Sequence, residues 1–482
     1  MKKSTGIFSP IVFFLSQPPA LTGFVLISFV IAFSNISLLH NPFYFDALRY
    51  WQLSSSFIKD GSFALTNFAS NLRGYLFPLL LFPFAGLGGM GFGAAFFVLC
   101  SAPMYGAFLT VLVPKLFELI FKRSPSTKSV LLFSFLVIIF WRGYFYYPIT
   151  DLPAIIFLCL AFYFVLKYFE TWWGAVLVGI FLSGAGLIRP VYQIVLIPAI
   201  LWIMYFCIYQ KKLRVQRAII QLVLLFIGLG SVYVPQLLIN MKSYGVVSPF
   251  VRTGSNGGPD LFTLQLNWGI DLQKYETNVG KNYPSPRVLF IDRQGEQALF
   301  DLGAKSKTME KTGQIGPDKP FSLQEYLGMV VTHPLTFTGI YLRHLFNGLD
   351  LHYDTPYIED VFSFSFPRQL ANYTVWFLSL GFLAAHLKRW KGLIPQLALL
   401  LIFCLPVLPT IPTAVEVRFM LPAHILAYAV LTFGVLPETL QLKKEEITRV
   451  IIRTLPFYLA FIAICFLLAA NTYAGLQYLV QK

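Results

Sequence analysis

Charge is scarce in this sequence: 12% of its 482 residues are Asp, Glu, Lys or Arg, against 56% hydrophobic and 17% aromatic. A chain so poor in charge cannot cover a soluble globule with polar surface. Cysteine is scarce as well. Cys100, Cys159, Cys207, Cys404 and Cys465 all lie inside apolar runs with no CxxC pair, so they read as small core hydrophobes and no disulfide framework is implied. The absence of a Gly-rich phosphate loop followed by Lys removes support for nucleotide hydrolysis. The six histidines, His40, His333, His344, His352, His386 and His424, never fall at metal-ligand spacing. They are expected at interfaces or in loops, and neither a metal nor another cofactor is expected. A net charge of +15 would suit nucleic acid, but much of the Lys and Arg sits in short connections between apolar runs, so no nucleic-acid partner is expected.

What remains is the composition of an all-α polytopic membrane protein. On the rule that a span takes about 20 apolar residues, the sequence predicts about 11 transmembrane helices: 21–39, 91–113, 130–141, 152–168, 172–188, 191–209, 218–238, 374–387, 393–412, 420–435 and 455–473. The apolar stretch 75–89 is rich in Gly and Pro and reads as a span or as a half-buried loop. Basic residues such as Lys115, Lys122, Arg123, Lys211, Arg214, Lys388, Arg389 and Lys443 fall on one side, predicting a cytoplasmic N-terminus and an extracytoplasmic C-terminus. The N-terminus, with no cleavage site after a short apolar core, is expected to be retained in the cytoplasm.

Three parts follow from this reading. An N-terminal transmembrane module covers 1–239 and carries a first extracytoplasmic loop at 40–75. An extracytoplasmic region covers 240–368, and a C-terminal transmembrane module covers 369–482. Tyr44, Leu48, Trp51 and Ile58 fall near one helical face, which predicts a helix lying on the membrane surface. Between Ser248 and Pro320, turn pairs such as Asn256-Gly257 and Gly316-Pro317 predict loops with little regular structure. From Ser322 the rhythm of Leu323, Tyr326, Leu327 and Val330 predicts one amphipathic helix, and Pro334 opens a second lined by Tyr341, Leu345 and Phe346.

Ionisable residues gather at the expected outer mouths of the spans: Asp46 after the first, Asp151 in YYPITDLPA, Arg189 in GLIRPVY, and Glu416 with Arg418 in TAVEVRFMLP. Charges at membrane depth are costly and tend to face a polar cavity or a partner. Asp46 could take a proton from an attacking hydroxyl or cap a helix. Asp151 is placed either to cap its helix or to face the same cavity as a second acid. Arg189 and Arg418 present forks suited to phosphate; the alternatives are an interfacial anchor for Arg189 and an ion pair with Glu416 for Arg418. Arg73, in an exposed loop, is a further phosphate candidate.

FDALRYW in the first outer loop, RGYLFPLLL, TDLPA, LIRPVY and EVRFMLP together resemble the GT-C superfamily of polytopic glycosyltransferases, which includes protein O-mannosyltransferases and lipid A aminoarabinose transferases. The resemblance implies a polyprenyl-phosphate-linked sugar donor and a glycan, lipid or protein acceptor. It also implies transfer at the extracytoplasmic face of the cell (inner) membrane, with a base on the first loop. Many members carry two neighbouring acids there, whereas Asp46 is followed by Ala47. On this resemblance Asp46 and Asp151 would be catalytic, and Arg189, Arg418 and Arg73 would hold the donor phosphate. Competing readings are a lipid-linked oligosaccharide flippase, an O-antigen type polymerase or ligase, and a non-catalytic scaffold subunit.

Overall fold

The computed structural model describes residues 18–86, 89–211, 213–252, 254, 260–280, 287–308, 315–363, 365–386, 394–439, 441 and 443–478. The N-terminal end expected in the cytoplasm, Lys212, the Asn256-Gly257 turn, the basic connection with Lys388, Arg389 and Lys391, and Lys482 lie outside the described residues.

Helix dominates throughout. Among the described residues, seven helical stretches are long and apolar enough to cross a membrane: 91–121, 127–145, 151–168, 190–210, 215–244, 417–439 and 444–474. Four apolar helices, Leu21–Ser34, Leu76–Ala85, Trp172–Ile188 and Ile394–Thr410, are shorter. The stretch 75–89 contributes only the ten residues Leu76–Ala85, about 15 Å of helix against roughly 30 Å of hydrocarbon. Phe366–Ala385 reaches 20 residues, but its first turns carry Arg368, Gln369 and Asn372, and the latter two are buried against protein.

Packing centres on Asp151–Tyr168, whose inward positions Leu152, Ala154, Ile155, Leu158 and Ala161 are at most 1% exposed. Trp172–Ile188 lies between this helix and Val215–Tyr244. Its Gly179 meets Gly228 so closely that a Cβ on Gly179 would stand 2.1 Å from the Leu225 carbonyl. Small residues allow this approach, and dispersion and backbone contacts drive helix association where lipid removes the hydrophobic incentive.

Two expectations are corrected by the fold. Between Ser248 and Pro320 the structure has helices Leu261–Asp271 and Arg293–Asp301 and strands Leu272–Asn278 and Arg287–Ile291. The strands form a four-stranded sheet with Tyr357–Ile358 on one edge and Leu476–Tyr478 on the other. Local pattern hides this sheet, because its edge strands are short and come from distant sequence. The strand Leu476–Tyr478 also puts the end of the last long helix on the same side as the 240–368 region. Secondly, the helix within the first loop is Phe45–Ser54, and Ile58 belongs instead to a small hairpin, Ile58–Lys59 with Ser62–Phe63.

The two expected amphipathic helices are Leu323–Thr332, closed by a Ser322/Glu325 capping box, and Pro334–Leu349 with proline in its first turn. Tyr326 and Met329 face inward, whereas Leu323, Leu327, Val331 and Leu335 are exposed. The inward face is therefore narrower than the apolar rhythm suggests, and an apolar stripe points away from the protein. Such a stripe suits contact with a membrane surface. The histidines differ in part from expectation: His344 and His424 are buried within helices, while His352 lies in a loop as expected but is buried there. His344 and His424 lie against the backbone carbonyls of Ile411 and Gly348, and His352 pairs with Asp350.

Candidate functional site

Asp46 sits in the first turn of Phe45–Ser54, where Tyr44 occupies the cap position and makes no side-chain cap bond. The capping role considered for Asp46 is therefore not the one it plays. The segment is clamped by aromatic packing of Phe43 on Trp51 at 5.0 Å and on Tyr146 at 5.6 Å. The Ala47 amide donates to the Tyr357 hydroxyl at 3.0 Å. Directly before Asp46, Phe45 has φ +40°, a left-handed conformation that costs on the order of 1–3 kcal/mol in a bulky residue and persists where its surroundings impose it.

Two arginines meet the Asp46 carboxylate. Arg73 donates to Oδ1 at 2.5 Å and Arg418 to Oδ2 at 3.1 Å. The same Nη2 of Arg418 that reaches Asp46 also donates to Glu416 Oε1 at 3.1 Å, and Nε stands 2.7 Å from Oε2. Both alternatives considered for Arg418 are thus present: it pairs with Glu416 and also reaches Asp46. Arg73 is not the exposed loop residue expected. Its side chain is 19% exposed, its guanidinium lies 5.3 Å from the Tyr50 ring centroid, and its amide donates to the Ser70 hydroxyl at 3.1 Å.

Gly74 explains the inward position of Arg73. A Cβ there would stand 2.3 Å from the Leu187 carbonyl oxygen, so only glycine lets this loop lie against the end of Trp172–Ile188. Gly74→Ala should push the loop outward and destabilise the protein by about 1–3 kcal/mol, read as a lower unfolding temperature in detergent, with weaker binding of any ligand that Arg73 holds.

The second ion pair lies alongside. Arg189 follows the helix Trp172–Ile188 in extended backbone before Pro190, as a residue preceding proline prefers. It donates to Oδ1 of Asp151, the first residue of Asp151–Tyr168. Asp151 is 2% exposed, and its other oxygen has no hydrogen-bond partner among the described residues. Phe419 joins the two pairs, with Arg189 5.2 Å and Arg418 5.8 Å from its ring centroid. Asp151, Arg189, Arg418 and Phe419 line one small hollow with Tyr192 and Thr410, of about 10 Å³, roughly room for one water.

The sheet sets the position of Glu416 and Arg418. Tyr275 of the strand Leu272–Asn278 donates its amide to the Val415 carbonyl at 2.9 Å, which fixes the chain just before Glu416. Asp46, Asp151, Arg73, Arg189 and Arg418 are therefore brought to one place. Glu416, which the sequence sets beside Arg418 among the charges at the span mouths, joins them as a sixth member. A further network, Asp354 between Arg142 at 3.2 Å and Arg368 at 3.4 Å, ties the loop above the site. No sequence signal marked it, because Arg142 and Asp354 stand 212 positions apart in the chain (354 − 142) and meet only in the fold.

The two exposed-side carboxylates are held in opposite directions. Burial pushes Asp46 up, but Arg418 and Arg73 together outweigh it and hold this acid below its ordinary value. Burial pushes Glu416 up, and there it prevails over Arg418, helped by the charges of Asp46 and Asp151. Asp46 is 33% exposed against 17% for Glu416, so solvent screens its pairs more. Among the described residues no cluster of His, Cys, Asp or Glu could hold a metal ion.

No protein-family model, no curated protein and no solved structure matches this chain.

Proposed function

We propose that this protein is a membrane glycosyltransferase that moves a sugar from a polyprenyl-phosphate donor to an acceptor hydroxyl. The reading places the reaction at the extracytoplasmic face of the cell membrane. One observation carries it: three arginines and three carboxylates converge beside a set of apolar helices, at the end where Phe45–Ser54 and the sheet-bearing region meet. A donor with a greasy anchor, a phosphate and a sugar needs cations for the phosphate next to a carboxylate that can accept a proton, and both must border lipid.

In the proposed reaction the acceptor oxygen attacks the anomeric carbon and gives its proton to Asp46. The bond between the anomeric carbon and the phosphate oxygen breaks, and its electron pair leaves with the polyprenyl phosphate. Arg189 and Arg418, with Arg73 beside them, would stabilise that developing charge. The hollow between Arg189 and Arg418 is too small for phosphate while Arg189 remains paired with Asp151. Donor binding would therefore draw guanidinium groups from the carboxylates. Losing a cation raises the basicity of Asp46 at the moment the base is needed.

This coupling gives a signed expectation for pH. The acid limb of kcat/KM reports the free enzyme, in which Asp46 is held below the ordinary aspartate value, so activity should persist as pH falls to about 4. The acid limb of kcat should lie higher, because the arginines are then engaged by phosphate. A kcat/KM limb above the ordinary glutamate value, about 4.3, would assign the proton to Glu416 instead, whose value is raised. The function itself is tested by mass spectrometry of lipid-linked sugars and surface glycans with and without the gene. Loss of one glycan residue with accumulation of its prenyl-linked donor is expected; unchanged profiles of both would overturn the proposal.

A further inference from the structure

An apolar cavity lies away from the ion-pair cluster, toward the opposite ends of the same helices. Asp151–Tyr168 gives Asp151 to the small hollow, and gives Cys159 and Phe162 to this cavity, two to three turns further along. The stretch 417–439 gives Arg418 to the first, and Ala429, Phe433 and Glu438 to the second. The cavity measures 370 Å³, within the roughly 300–1,000 Å³ of ligand sites. Its wall is almost wholly apolar, while Arg123 and the His386–Glu438 pair, at 3.2 Å, stand at its polar end.

A second cavity of 200 Å³ adjoins it, sharing Ile120 and Leu399, and its lining includes Lys122, Lys211, Gln210 and Gln396. Chemistry thus changes across a shared wall, from an apolar chamber to a basic recess. Lys211 pairs with Glu170; Lys122 and Arg123 make no ion pair among the described residues. The Oε1 of Gln396 is buried without a hydrogen-bond partner among them. Three π-helical turns border the two cavities: Phe206–Gln210 and Val430–Val435 contribute lining residues, and Phe108–Leu112 leads directly into the wall Val113–Phe121. Such turns widen a helix locally and recur at functional sites.

We infer that these two adjoining cavities bind an anionic phospholipid from the leaflet opposite the ion-pair cluster. Its acyl chain fills the chamber lined by Phe117, Phe162 and Phe433, and its headgroup phosphate meets Lys122 and Arg123. Charge complementarity selects the occupant. Basic residues at the membrane surface attract anionic headgroups, and the apolar chamber next to them accepts a chain but not a second charge. The site is independent of the transfer reaction, because none of its lining residues belongs to the six-residue cluster.

The full chain, purified in detergent and stripped of lipid, is titrated with phosphatidylglycerol or phosphatidylcholine and read by native mass spectrometry and unfolding temperature. One phosphatidylglycerol per chain is expected, bound at least about tenfold more tightly than phosphatidylcholine. Lys122→Gln with Arg123→Gln should bring the two lipids to near-equal affinity. Ala429→Phe, which fills the chamber, should abolish tight binding of both. Equal binding of the two lipids by the unaltered protein would overturn the proposal, as would full binding by the filled variant. Failure here leaves the glycosyltransferase reading standing, since the readout contains no donor or acceptor.

Discussion

Asparagine at position 46 is expected to lower transfer by about 10²–10⁴-fold, the usual contribution of a positioned general base, while the protein still accumulates in the membrane. Asn keeps one oxygen that can accept from Arg73 or Arg418, and a side chain that is 33% exposed tolerates the lost charge better than a dry one. The cluster should therefore survive the exchange. The measurement is the initial rate of release of polyprenyl phosphate, beside the yield and unfolding temperature of the variant. Full activity in Asp46→Asn would refute the assignment of the base, and loss of both activity and yield would move Asp46 to a structural role.

Arg418→Gln should have the largest combined effect. This arginine is 16% exposed and bridges Asp46 and Glu416, so its removal takes away the proposed phosphate fork and leaves the half-buried Glu416 without its cation. Breaking one partner of a buried pair costs roughly 3–5 kcal/mol. Loss of a positioned charge donor costs about 10²–10³ in rate. The double variant Glu416→Gln with Arg418→Gln separates the two effects: it should recover most of the unfolding temperature and none of the transfer. Arg418→Lys should retain stability better than activity, because lysine keeps the charge and loses the planar guanidinium whose Nη2 and Nε reach both carboxylates. Recovery of transfer in the double variant would make the arginine a structural counterion only.

Asp46 also makes a prediction for stability. Its folded value lies below its ordinary one, so its contribution is fully present above the ordinary aspartate value and is lost as pH falls through the folded value. Glu416 acts in the opposite sense: its raised value favours the protonated form, so its charge opposes the fold increasingly as pH rises from its ordinary value through the folded one.

Much of the helical frame is legible in the chain, because a lipid environment demands long apolar runs and internally satisfied backbone, and both are local properties. The runs that became 151–168, 190–210, 215–244 and 417–439 announce themselves without reference to any neighbour. The amphipathic helices after Ser322 are equally readable, since Ser322, Glu325 and Pro334 are start signals with local mechanisms. Apolar rhythm could not say which face turns inward, and Leu323 and Leu327 turn out.

The concentration of Asp46, Asp151, Arg189, Glu416 and Arg418 at span ends can be read from sequence, because charge next to a long apolar run has few places to go. Which carboxylate meets which guanidinium is decided only by tertiary structure. Arg73 reaches Asp46 because Gly74 allows its loop to touch Leu187, and Arg418 reaches it because a strand nearly 140 residues earlier holds Val415. The sheet stayed hidden for the same reason: its strands pair across the whole second half of the chain. Local sequence carries the preference for helix, lipid and charge at a boundary. Close approach of distant backbones carries everything that makes those charges one site.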